Sequence, residues 1–355
     1  MKNKWNGYLL FCVFLLLTGC HPKQKESPLL DFTLGEVSSL SVEEFLGRPL
    51  KEIPLETTSE CLIGRIGKLI KRNGIYHIAS DDKVIHSFDG NGRFLYALDQ
   101  VGNGPGEYVQ FMDFDVYQDN NGVPELWLSD MKKIKIYRLT DQEWIYTSSI
   151  DFDFVVHKFH PIDENRLLLV TGQNEQTLTV TDRNGTVLQT YLDKEIPFIT
   201  FKALQLMPYG NRVLFQLAMS NATVTYDREQ SEFNITPIVD NKKFLPPAEL
   251  KELFETYDYD YLGKLRDHSY IYDIREYGSH TFLSYYTNGS RYLAVSSDNG
   301  WKRVGLHPDP TLLGMNDTPH PFLTMGSTHS DDNTFIIYRP ADKEEDNPVL
   351  CVAAY

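Results

Sequence analysis

Strand-like segments return along this chain at a step of about 40 to 50 residues, and that repeat limits the folds open to it. Runs such as GIYHIAS (74–80), KVIHSFD (83–89), ELWLSD (125–130), KIKIYRL (133–139), RLLLVTG (166–172), TLTVTD (177–182) and RVLFQLA (212–218) are rich in β-branched and aromatic residues and end in polar breakers. Each phrase has two strands, a polar turn and a last strand. The turns are DGNGRF (89–94), TDQEWI (140–145), DRNGTV (182–187), DREQSEF (227–233) and SDNGWKR (297–303). A period of this size is that of one four-stranded blade, so the chain is expected to form an all-β, six-bladed β-propeller. Blades are expected near 62–98, 111–150, 155–193, 202–240, 268–306 and 320–355. Seven shorter blades would also fit the length; the phrases favour six.

The step lengthens once, between 227 and 298. There PPAELKELFETY (246–257) puts Pro247 at a helix start and spaces Leu250, Leu253, Phe254 and Tyr257 along one stripe. A helical insert over about 243–266, between blades 4 and 5, is the expectation, with its stripe packed on the propeller flank. The final blade lacks a clear closing strand within its own span. PLKEIPLET (49–57) is a suitable donor from the other end of the chain.

The first twenty residues address the compartment. Lys2 and Lys4 precede an apolar stretch from Tyr8 to Leu17, and Leu17-Thr18-Gly19-Cys20 follows. The stretch is too short to span a bilayer comfortably. Leu-Thr-Gly-Cys resembles the bacterial lipobox, which implies a signal peptide over 1–19, lipidation of Cys20 and a polar tether over 20–48 before a propeller over 49–355. The partner so implied is a membrane, reached through the N-terminal lipid and on the outer membrane by expectation, with the periplasmic or surface-facing side left open. Loss of the leader removes two lysines and no acid, deepening the formal charge from −15 to −17. That balance argues against nucleic acid as a partner. Of four cysteines, Cys61 and Cys351 are left for the folded body, either free or as one disulfide.

The stretch EIPLETTSECLIGRIGKLIKRNGIYHIAS, the segment FDGNGRFLYALDQVGNGPGEY and the terminal DNPVL resemble the six-bladed β-propeller lipoproteins found widely in Bacteroidetes, a family with NHL-like blades. The resemblance runs from about residue 50 onward, strongest in blade 1 and its exit loop. It implies a fold and an envelope address, and little chemistry.

Candidate sites begin with GNGPGEY, in which Gly102, Gly104, Pro105, Gly106, Glu107 and Tyr108 follow a strand. A dinucleotide fingerprint needs a third glycine where Glu107 stands and a helix afterwards, and a P-loop needs a lysine that is not there. The loop is expected to join blade 1 to blade 2, with glycines granting positive φ, Glu107 accepting backbone donors and Tyr108 packed beneath. A place on a ligand rim is the functional alternative. Asp113 and Asp115 sit two apart, as do Asp151 and Asp153, so each pair shares a strand face. Asp113 and Asp115 are the candidate axial carboxylates. A glycosidase-like pair and plain strand-end aspartates both satisfy that spacing. His157 and His160 are three apart, which on a strand sends them to opposite faces, and His307, His320 and His329 lie in loops, so no metal set is expected. The sequence SSDNGW (296–301) departs from a sialidase Asp box at Trp301.

No catalytic residue and no cofactor is assigned. Two function classes follow: an envelope lipoprotein whose propeller face recognises a glycan, peptide or partner protein, and, implied by the resemblance, an NHL-like propeller lyase or hydrolase using axial carboxylates and loop histidines.

Overall fold

The computed structural model describes residues 42–119, 121–171, 176–193, 206–216, 221–237, 244, 252, 268–287, 290–297, 300–305, 328–341, 343 and 345–355. These form an all-β, six-bladed propeller with very little helix. Blade 1 is β2 (Ile66–Arg72), β3 (Ile75–Ser80), β4 (Ile85–Phe88) and β5 (Phe94–Leu98); blade 2 is β6 (Phe111–Gln118), β7 (Pro124–Asp130), β8 (Lys133–Thr140) and β9 (Glu143–Asp151). Blade 3 is β10 (Lys158–Pro161), β11 (Arg166–Val170), β12 (Gln176–Asp182) and β13 (Val187–Asp193). Blade 4 is β14 (Leu206–Tyr209), β15 (Arg212–Gln216), β16 (Ala222–Asp227) and β17 (Glu232–Pro237). Blade 5 is β18 (Tyr270–Tyr277), β19 (His280–Thr287), β20 (Ser290–Ser297) and β21 (Gly300–Gly305).

Blade 6 is built from both ends of the chain. Its inner strand β22 (Thr328–Ser330) is tied to β23 (Thr334–Arg339) by Thr328 Oγ1 donating to Ile336 O at 2.6 Å and Ser330 Oγ donating to Thr334 O at 2.8 Å. β23 pairs with β24 (Val349–Ala354), and β24 pairs antiparallel with β1 (Lys51–Pro54) in the register Lys51↔Val352 to Pro54↔Val349. The strand contained in PLKEIPLET thus completes the ring. β22 also runs parallel to β2, with Ile70 opposite His329.

Because side chains alternate across a strand, each blade has two faces to cover, and its neighbours cover them. The buried apolar residues fall into clusters shared by adjacent blades. Ile70, Ile85 and Leu98 of blade 1 meet Phe114, Leu126 and Tyr137 of blade 2. Trp127 and Ile134 of blade 2 meet Phe159 and Leu169 of blade 3. Val170 and Leu178 meet Val213 and Tyr226 across blades 3 and 4, and Met207 and Leu214 meet Ile274 and Leu283 across blades 4 and 5.

Residues 42–48, read from the sequence as the end of the tether, belong to the folded body. A one-turn helix, α1 (Val42–Leu46), buries Phe45 and Leu46 against Phe282, Phe335 and Ala353, between blades 5 and 6. The expected insert over 243–266 lies outside the described residues except at Phe244 and Glu252, and finds no support among them. Cys61 and Cys351 are both free and buried, which corrects the possible disulfide. The alternation of β24 explains why: Cys351 points toward blade 5 with Ala353, whereas Cys61 packs on the opposite side with Leu350 and Val352.

Candidate functional site

In a blade of four antiparallel strands, the first strand lines the propeller axis. The inner strands here place charge where an apolar core would be expected. Lys68 and Arg72 stand on β2, Asp113, Asp115 and Tyr117 on β6, Lys158 and His160 on β10, Asp273 and Arg275 on β18, and His329 on β22. The sequence singled out Asp113 and Asp115 but missed the cations that meet them. A signal was present: IGKLIKR, MDFDVY and YDIRE all interleave charged with apolar residues in a first strand.

Lys68 Nζ donates to Asp113 Oδ1 at 2.7 Å and to Phe114 O at 2.6 Å, while Lys158 Nζ stands 3.6 Å from the same Asp113 oxygen. Phe159 N reaches the other carboxylate oxygen at 3.4 Å. Arg72 takes Asp115 in a fork, and its Nη1 lies 2.9 Å from His329 Nδ1. Asp273 and Arg275 pair at 3.2 Å, with both side chains almost wholly buried. A bulge in β6 between Phe111 and Asp113, matched in β2 before Lys68 and in β18 before Asp273, sets the charged face in each case.

These environments determine protonation. Burial works to raise the Asp115 carboxyl, but Arg72 and Lys68 outweigh it and hold the group well below the usual carboxylate range. Burial lowers the Lys158 ammonium, against the pull of Asp113. His160 is lowered to about 3 by burial first and then by Arg228 and other cations, so the ring is neutral. Burial, then Arg72, lowers His329 as well. Among the described residues no group of three His, Cys, Asp or Glu side chains is arranged to hold a metal ion. Asp115 is thus the counter-ion of Arg72, and Asp113 is paired with Lys68 and faces Lys158.

Asp151 and Asp153 have a different setting. They stand at the exposed end of the outer strand of blade 2, where Asp151 pairs with Lys133 at 2.5 Å. His157 is buried immediately before β10, and His307 and His320 lie outside the described residues.

GNGPGEY joins β5 to β6, and its polar groups turn inward. Gly104 N donates to Glu107 Oε2 at 2.7 Å, Gly102 N to Tyr108 O at 3.0 Å and Glu107 N to Gly104 O at 3.0 Å. Lys135 Nζ donates to Glu107 O, and Tyr137 Oη donates to Gly106 O at 2.8 Å. Tyr108 is wholly buried with its hydroxyl 2.7 Å from Lys83 O. A phosphate would find the Gly102 and Gly104 donors already engaged. The glycines answer two needs. Gly106 has φ of 84°, whereas a Cβ at Gly102 would stand 2.0 Å from the Glu107 carboxylate. Beside this loop Val101, Val109 and Met131 are exposed.

The fold is similar to the crystal structure of a Bacteroides fragilis protein described as exported, with a TM-score of 0.73 and 18% identity, covering 90% of this chain and 98% of that one. A lesser likeness is to the extracellular domain of a hybrid two-component system from B. thetaiotaomicron, with a TM-score of 0.46 and 9% identity over 85% of this chain and 39% of that one. No curated protein matches the chain. At these identities the likeness is one of fold, and the sequence family rests on the family model: the domain of unknown function DUF4934 matches residues 31–353, and the chain belongs to that family.

Proposed function

We propose that this protein is an envelope lipoprotein, anchored through lipid on Cys20 to the outer membrane, whose propeller recognises a glycan, peptide or partner protein without chemically altering it. The observation that carries the non-catalytic part is the state of Asp113 and Asp115. Both are buried and committed to Lys68, Lys158 and Arg72, so neither of these two carboxylates is free to serve as acid or base. The recognition surface is assigned to the face that bears the blade-to-blade connections, around GNGPGEY. The loop is held rigid from below by Glu107, Tyr108, Lys135 and Tyr137, and Val101, Val109 and Met131 beside it offer apolar contact. The likeness to an exported protein supports the address.

The test has two arms. Membrane fractionation of wild type and Cys20→Ser should show the substituted protein released or unprocessed; an unacylated wild-type N-terminus would remove the anchor. Screening the ectodomain against glycan and peptide arrays should give saturable binding that Met131→Asp and Val109→Asp abolish, with the bound compound recovered unchanged. Turnover of a bound compound, lost in a folded Asp113→Asn variant, would replace recognition by catalysis.

A further inference from the structure

The propeller has a second distinctive face. In an antiparallel blade the first-to-second and third-to-fourth turns share one end, opposite the blade-to-blade connections. On that end, blades 3 and 4 carry the same dipeptide after their third strand, Asp182-Arg183 and Asp227-Arg228. Blades 1, 2 and 5 have Asp89-Gly90, Thr140-Asp141 and Ser297-Asp298 at the corresponding places.

Within each pair the aspartate is committed to its own turn. Asp182 Oδ1 accepts from Asn184 N and Thr186 N at 2.8 Å, and Asp227 Oδ1 accepts from Glu229 N and Gln230 N at 2.9 Å. The arginine folds back over the preceding turn toward the neighbouring blade. Arg183 Nε donates to Glu164 O at 3.0 Å, and its guanidinium lies 4.2 Å over the Trp127 ring of blade 2. Arg228 reaches the inner strand of blade 3, with Nη2 2.8 Å from His160 Nε2.

Neither guanidinium forms an ion pair with a described residue, although both are only half exposed. Arg228 Nε is buried without a hydrogen-bond partner among the described residues. Burial pushes both guanidinium pKa values down. The two sense the same pair of groups, Tyr117 and Asp163. Asp163 is already taken by Arg166, at 2.7 Å from Nε and 2.6 Å from Nη2. Burial, with Asp115 next to it, keeps the Tyr117 phenol neutral. Glu125 is the strongest charge acting on Arg183 and Glu164 a weaker one, yet neither is within ion-pair distance of it, and Glu125 accepts from Trp127 Nε1 at 3.1 Å. A half-buried cation without an anionic partner is costly, and a guanidinium fork suits a planar or tetrahedral oxyanion.

We propose that Arg183 and Arg228, with Tyr117 between them and His160 behind Arg228, form a binding site for an oxyanion, a carboxylate, sulfate or phosphate group on a ligand, at the face opposite GNGPGEY. The anion sits against the outward edges of the Arg183 and Arg228 guanidiniums, both on partly exposed residues, with the Arg228 Nε–H just beneath. His160 holds Arg228 in place by accepting from Nη2. The site stands independently of the recognition surface proposed above, and failure of one leaves the other intact.

The experiment titrates sulfate, phosphate and glucuronate separately into the folded wild-type ectodomain at constant ionic strength, following the His160 imidazole and arginine Nε–H resonances by NMR. Saturable shifts at both are expected, and the tightest of the three anions identifies the group. Arg228→Gln and Arg183→Gln should each weaken binding at least tenfold. Arg228→Lys, which keeps the charge and loses the fork, should weaken it less than Arg228→Gln, and Lys132→Gln on the opposite face should leave it unchanged. The proposal is overturned by the absence of saturable shifts up to about 50 mM of all three anions, an affinity already at the weak limit of specific binding. Equal binding by wild type and the folded Arg183→Gln variant overturns it too, as does weakening by Lys132→Gln to the same extent.

Discussion

Arg72 grips Asp115 through two parallel hydrogen bonds, Nε to Oδ1 and Nη2 to Oδ2, each 2.9 Å long and joining the inner strands of blades 1 and 2. Such a pair contributes little net stability against an apolar replacement of similar volume, yet leaving one partner alone is severe. Asp115→Ala should therefore lower the unfolding free energy by about 3–5 kcal/mol in urea titrations. Arg72→Met with Asp115→Leu should recover most of that loss. A double variant as weak as Asp115→Ala would mean that the pair is needed for more than mutual neutralisation.

Acid should weaken the fold through its buried histidines. His77, lowered to about 3 by burial ahead of Arg72, and His160, also about 3, stay neutral in the folded chain while their unfolded counterparts protonate near 6.5. A depressed folded value means that the unfolded state binds more protons between about 6.5 and about 3, so stability falls as pH falls through that window. Each histidine contributes up to about 1.4 kcal/mol per pH unit. Urea midpoints should drop between pH 7 and pH 5, and His77→Gln, which can keep the contact with Ser87, should flatten the slope. An equally steep slope in that variant would place the dependence elsewhere.

In GNGPGEY the glycines should respond differently. Gly106→Ala forces a side chain onto a left-handed backbone, with a Cβ 2.8 Å from Tyr146, and should cost about 1–3 kcal/mol whatever stands at 107. Gly102→Ala should act by displacing the Glu107 carboxylate, so its cost should shrink in a Glu107→Ala background. Glu107→Ala alone should cost about 1 kcal/mol by leaving the Gly104 amide without its acceptor. A double-mutant cycle measures this, and strict additivity of Gly102→Ala with Glu107→Ala would refute the carboxylate mechanism.

Ring closure is tested by removing residues 49–57. The outer edge of β24 would then be unpaired, and the ectodomain should lose its single sharp thermal transition and aggregate on heating. A truncated ectodomain that melts like the parent would show the closing strand to be dispensable.

The blade repeat was legible because each blade repeats one local pattern, strands that alternate apolar residues and turns such as DGNGRF whose aspartate caps the backbone. The closing strand was legible because PLKEIPLET had no sheet of its own. The axial charges were hidden for the opposite reason. Lys68 and Lys158 meet at Asp113 from positions 45 residues to either side, a convergence no local window contains. Arg183 and Arg228 were visible only as parts of turn phrases, since their reach toward the preceding blade depends on how consecutive sheets stack. Cys61 and Cys351 show the same limit, being near in the fold and yet separated by a sheet.

The seam of the ring lies inside blade 6, and Asn347 reinforces it by donating to Glu56 O and Cys61 O at 2.6 and 2.7 Å while accepting from Ile63 N. The two ends of the chain are thus joined without a covalent bond, and the molecule is connected as a circle rather than a line. A single nick in any other blade leaves both fragments held at the seam and across every remaining blade contact, so a clipped ring stays one particle. By the same connectivity, a chain rearranged to begin at an exposed turn such as 141–142, with its present ends linked, would still close into the same ring.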